Sequence, residues 1–119
     1  MMLQGWVDDQ LSPRIKIPTL LGTDLELVID TGFNGEMMLP AQRLQQLGFI
    51  YRGWTVVELA DGSQVASRLY EGIIHWFDEE KKIRVHATES DDALLGTRML
   101  IGYLFELDVE ENRVVVVKK

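Results

Sequence analysis

The chain has no cysteine, which removes disulfides, thiol nucleophiles and cysteine-ligated zinc together while leaving the compartment open. It has two histidines, His75 and His86. They stand apart from each other and from any ligand-spaced group of carboxylates, so no metal site is predicted. Positive charge is scarce: 12 Lys and Arg against 19 Asp and Glu leave a net charge of −7. The nearest thing to a basic cluster, Lys81-Lys82 with Arg84, follows directly on Glu79-Glu80. A nucleic-acid surface needs clustered cations to neutralise phosphates, so none is expected here. No apolar run approaches the ~20 residues of a membrane span. The opening "MMLQGWVDDQ" lacks a basic region followed by an apolar one, so no signal peptide is predicted. The expectation is a cytoplasmic protein without membrane contact. A length of 119 residues leaves room for one core and not two, so 1–119 reads as a single domain.

What the chain does have is frequent punctuation between short, β-branched segments, which predicts an all-β fold. Residues 14–20 ("RIKIPTL") alternate, turn at Gly22-Thr23-Asp24, and return as a second hairpin arm over 25–29. The stretch "LPAQRLQQLGF" predicts a short helix, with Pro40 at its first position, Leu44 and Leu47 on one face and Gly48 as its stop. Residues 54–60 and 63–77 flank Asp61-Gly62, a tight-hairpin dipeptide. A second turn is expected over 78–82, with a strand over 83–88 after it. "LLGTRMLIGYLF" begins as an apolar strand, breaks at Gly96, and has helical spacing from Thr97 to about Leu104. Residues 105–109 and 113–117 close the chain as a hairpin around 110–112. Val114 to Val117 read as a core strand or as an apolar edge in need of a partner. Trp6, Trp54 and Trp76 read as core or interface residues, and Asp91-Asp92 as a solvated loop. About ten short strands with one or two short helices suggest a closed barrel or a compact sandwich.

Within this pattern one segment raises a chemical question. "LVIDTGFNGEMMLP" drives an apolar strand into Asp30 and then into Thr31, Gly32, Asn34 and Gly35, which are turn formers. Taken alone, such a tripeptide is also what an ordinary strand end looks like. Two later features accompany it: a glycine-containing hairpin around Asp61-Gly62, and Leu94-Leu95-Gly96 leading into a short helix. In that order, over roughly residues 15 to 117, the chain resembles the retropepsin-like aspartic proteases, and its Asp-Thr-Gly-Phe form is similar to that of small bacterial members.

The resemblance implies a closed acid-protease barrel that acts as an aspartic endopeptidase on peptide or protein substrates without a cofactor. The single Asp-Thr-Gly implies half a site per chain, and therefore a homodimer in which Asp30 faces its twofold mate. Thr31 would lock the two loops across the axis. Gly32 would let the backbone approach substrate and partner, and Phe33 would narrow or line the groove. Ala60, Asp61 and Gly62 would form the flap, and Gly96 would let the later strand pass beneath the Asp30 loop. Where retroviral members carry an Asp–Arg ion pair, this chain has Asn34 and Thr97. Two neutral groups at those places are expected to hydrogen-bond to each other, with Arg98 able to compensate.

Two other functions stand beside this one. A peptide-binding dimer on the same fold would hold its ligand without cutting it. "VIDTGFNGE" is also similar to the uridine-pocket hairpin of trimeric deoxyuridine triphosphatases. That family adds a phosphate-binding Arg-Ser-Ser stretch and a glycine-rich arm, where this chain has Ser67-Arg68 and the tail "RVVVVKK".

Overall fold

The computed structural model describes residues 1–119. Ten strands carry the fold: β1 (Met2–Val7), β2 (Pro13–Pro18), β3 (Asp24–Ile29), β4 (Met37–Pro40), β5 (Ile50–Glu58), β6 (Gln64–Trp76), β7 (Glu79–Thr88), β8 (Leu94–Leu95), β9 (Tyr103–Asp108) and β10 (Arg113–Lys118). One α-helix, α1 (Ala41–Gln46), and one 3₁₀ turn (Thr97–Leu100) complete it. No helix is long and apolar enough to cross a membrane.

Alternation places the core. In β2, Ile15 and Ile17 are buried while Lys16 is exposed, and in β3, Leu25, Leu27 and Ile29 are buried between Glu26 and half-buried Val28. Met37, Leu39, Leu44, Ile74, Trp76, Ile83, Val85, Leu95, Met99, Val114 and Val116 join them in one cluster. Successive strand side chains point to opposite faces, so this period of two hands one face of each strand to the interior.

The fold is all-β, but the expected closed barrel is corrected. The strands run in the order β5-β6-β7-β4-β8-β3-β2-β1-β10-β9, an open sheet with β5 and β9 at its edges. Closure would require those edges to pair. Instead β1 and the β9–β10 hairpin extend the sheet beyond β2, and β5 and β6 form its other end. A single isolated bridge, Thr19 to Ile74, ties the end of β2 to β6.

Several local expectations also shift. The turn placed at 78–82 shrinks to Phe77-Asp78, which take positive φ of 54° and 65°, so the strand resumes at Glu79. Two adjacent left-handed residues suit the twist of a two-residue hairpin. The helix placed from Thr97 to about Leu104 ends at Leu100, because Gly102 turns the chain at φ +86° and Tyr103 enters β9. Pro40 caps α1 from outside as the last residue of β4, and Gly48 stops it at φ +70°. Val114, Val115 and Val116 are buried, and β10 lies between β1 and β9. It is therefore an interior strand and needs no partner chain. Trp76 is a core residue, Trp6 lies under the Lys16 ammonium, and Trp54 is 69% exposed.

Candidate active site

The loop that follows β3 is built around Asp30. Its N–H donates to the Leu95 carbonyl at 2.9 Å, continuing the parallel pairing in which Val28 faces Leu94 and Ile29 faces Leu95. Its carboxylate Oδ1 accepts the Gly32 N–H at 2.8 Å, and its carbonyl accepts the Phe33 N–H at 3.2 Å. The acid is half-buried, while Thr31 and Gly32 are exposed. An Asp that bonds the backbone two residues ahead holds its own turn, which fixes the direction of the free carboxylate oxygen.

Gly96 clips this loop to β8. A Cβ there would lie 2.1 Å from the Gly35 carbonyl oxygen and 2.7 Å from that of Phe33. Only glycine permits so close a backbone crossing. The Gly96 N–H donates to the Glu36 carbonyl at 2.9 Å, and the Thr97 N–H to the Phe33 carbonyl at 2.9 Å. The Thr97 hydroxyl reaches the same Phe33 carbonyl at 3.3 Å. The expected Asn34–Thr97 pair is thus corrected: Asn34 is exposed, and Thr97 braces the main chain of the loop. Main-chain carbonyls freed by the crossing need donors, and a threonine at that position supplies two.

Phe33 is only 5% exposed, so it lies within the body beneath the loop. Its ring meets His86 edge to face, with centroids 5.7 Å apart. The His86 ring is half-buried, and its Nδ1 is buried without a hydrogen-bond partner. Burial first, and then the Arg84 charge, hold the His86 imidazole below the ordinary histidine range, with Glu36 pulling the other way.

The β5–β6 hairpin folds over this arrangement. Val57 is buried on its inner face, and Ala60 at the tip comes within 3.6 Å of where a Cβ on Gly32 would stand. The tip is held by Gly62 N–H to the Leu59 carbonyl at 2.9 Å and by the Asp61 carboxylate, which accepts from the Ser63 N–H at 2.9 Å and the Ser63 hydroxyl at 2.6 Å. Those two bonds hold the exposed Asp61 carboxyl below the usual carboxylate range. Asp30, Gly32, Ala60 and Gly96 are therefore brought together, with Asp61 and Gly62 at the outer rim of the tip.

Beside the loop lies a cavity of about 560 Å³ that begins at Phe33 and does not include Asp30. Glu36, Arg84, His86 and Arg98 help to line it. The sequence offered no sign of this set. Arg84 and Arg98 come from different elements, and only the parallel β4–β7 pairing, Met38 to His86, brings β7 beside the loop.

The structure also bears on the nucleotide-hydrolase likeness. That likeness needs a hairpin after Ile29, yet β8 lies between β3 and β4, parallel to one and antiparallel to the other. No such hairpin forms.

The fold is similar to that of a foamy viral protease-reverse transcriptase, solved in complex with an RNA/DNA hybrid, at a TM-score of 0.58 and 15% identity. The likeness is one of fold. It covers 90% of this chain and 13% of the viral one, so the chain spans a small part of that protein's length. No protein-family model matches the chain, and a search of curated proteins finds no match.

Proposed function

We propose that the chain is one protomer of a homodimeric aspartic endopeptidase of the retropepsin-like kind. The observation that carries this reading is the Asp30 loop. A buried apolar strand delivers a half-buried acid into a turn clipped by Gly96, with the tip of a long hairpin lying against it. The fold likeness to a protein named for a protease supports it. The exposed Thr31 and Gly32 leave the acid on a face open to a second copy.

The mechanism follows from the pairing of two such acids. Two carboxyls about 3 Å apart cannot both ionise, the arrangement known from aspartic proteases, and so share one proton. The ionised Asp30 removes a proton from a water whose oxygen attacks the scissile carbonyl carbon. The protonated Asp30 of the second protomer gives its proton to the carbonyl oxygen, forming a neutral tetrahedral gem-diol. On collapse the ionised carboxylate takes a proton from one gem-diol hydroxyl as the C–N bond breaks, the nitrogen takes a proton from the protonated carboxyl, and a carboxylic acid and an amine leave with the pair again holding one proton. The pair titrates as a unit, so activity is expected on the acidic side of neutrality.

The test is digestion of a peptide library by the wild type and by Asp30→Asn, with and without pepstatin. The expected result is pepstatin-sensitive cleavage by the wild type and none by a folded Asp30→Asn protein. Cleavage by the variant at the wild-type rate refutes the reading. Saturable peptide binding without any cleavage selects a non-catalytic peptide-binding dimer instead.

A further inference from the structure

We propose that the cavity beside the Asp30 loop is a selectivity pocket for an acidic side chain of the peptide, held by Arg84 and Arg98. This rests on the peptide-cleft reading above. Arg14, Arg52, Arg68 and Arg113 each lie against a carboxylate. Arg43, Arg84 and Arg98 form no such pair, and of these Arg84 and Arg98 border the same cavity of about 560 Å³. Two exposed arginines that border one space, with no side-chain hydrogen bond or ion pair of their own, are able to form a site for a carboxylate, which guanidinium groups grip through parallel N–H···O bonds.

Two acids share the wall, and neither forms an ion pair with Arg84 or Arg98. The Glu36 carboxylate accepts the Arg84 main-chain N–H at 2.8 Å, which ties it to the edge of β7. Glu58, exposed at the end of β5, also borders the cavity and forms no ion pair with either arginine. The floor is the Phe33 and His86 pair, whose burial favours an uncharged imidazole.

The pocket is fixed to the catalytic loop. Arg98 donates its main-chain N–H to the Gly35 carbonyl at 3.3 Å, and the cavity wall begins at Phe33, three residues past Asp30 in the chain. A substrate bound as an extended strand advances about 3.3 Å per residue with alternating side chains. The recognised acid is therefore a residue that flanks the cut bond, and the residues on either side of the bond itself lie nearer Asp30 and the Ala60 tip.

The test uses binding, so that it does not depend on catalysis. Fluorescence anisotropy on the Asp30→Asn protein is measured with labelled peptides that differ at one flanking position, carrying Glu, Gln or Lys there. At one such position the Glu peptide is expected to bind about tenfold more tightly than the Gln peptide. That advantage should fall away in Arg84→Gln and in Arg98→Gln, each surface change tested separately, and shrink as salt is raised. Equal affinity for Glu and Gln, tighter binding of Lys, a Glu preference that survives both substitutions, or no peptide binding at all overturns the proposal. Cleavage by the wild type without an acidic preference sinks the pocket and leaves the protease. Glu-selective binding with no wild-type cleavage does the reverse.

Discussion

Gly96 and His86 decide how firmly the Asp30 loop is held. A methyl group on Gly96 would meet main-chain oxygens of Gly35 and Phe33, which cannot swing aside as a side chain can. Gly96→Ala is therefore expected to cost about 3 kcal/mol or more, the upper end for an overpacked site. Urea denaturation measures it, and a loss below ~1 kcal/mol would mean the loop shifts freely. His86 carries a pH dependence whose sign is fixed by its depressed affinity for protons. In the unfolded chain it titrates near 6.5, and in the folded protein lower, because burial opposes the charge. Between those values the unfolded state binds more protons, so stability is complete above the unfolded value and declines as pH falls through the folded one. His86→Phe keeps an aromatic ring against Phe33 and abolishes that titration. Its urea midpoint should fall less than that of the wild type between about pH 7 and about pH 5. Equal falls would remove His86 from the account.

Among the elements, the β5–β6 hairpin carries its tip on few bonds. Its tip hangs on Leu59, Gly62 and the Asp61–Ser63 bonds, while Trp54 and Val56 on its outer face are exposed. Asp61→Ala removes both acceptor bonds to Ser63, and amide exchange over residues 59–63 should quicken while β10 stays protected. Unchanged exchange at the tip would show that the turn does not need the carboxylate. This hairpin was legible because Asp61-Gly62 announces its turn, and the β2–β3 and β9–β10 hairpins were legible for the same local reason. The turn between β6 and β7 was legible at Asp78, which tolerates positive φ, but its start was not, since Phe77 does not advertise a left-handed backbone. β1 was missed because its pairing partners are β2 and β10, and β10 lies at the far end of the chain. The site divided in the same way. The Asp30 turn and the Gly96 crossing showed in the motif, because close backbone approach leaves a glycine in the sequence. The bracing of Phe33 by Thr97 and the meeting of Glu36, Arg84 and Arg98 depend on parallel pairings between distant segments, for which no local residue pattern exists.

For the molecule as a whole, the proposed enzyme has no complete site until two copies meet. Specific activity should therefore rise with protein concentration and level off once dimer predominates, with sedimentation following the same midpoint. Constant specific activity across a dilution series in which sedimentation shows only monomer would end the two-chain account. The open sheet gives this association a constraint that a closed barrel would lack. β5 and β9 both end in unpaired backbone groups, and β5 carries exposed Tyr51, Trp54 and Val56 along its edge. An apolar edge of that kind is a template for adding another strand, whether from a substrate, a second protomer or an aggregate.

The pairing of β1 with β10 has a practical reach of its own. Met2 stands opposite Val117, and the Lys118 N–H donates to the Met1 carbonyl at 3.3 Å, so the polypeptide enters and leaves the fold through one doorway. A short glycine bridge could join those ends and new ones be cut in the exposed Asp91-Asp92 loop, giving a permuted protein with the same interior. Spliced into the surface loop of an unrelated host, the domain would occupy a gap only one strand spacing wide and leave the host's own framework undisturbed.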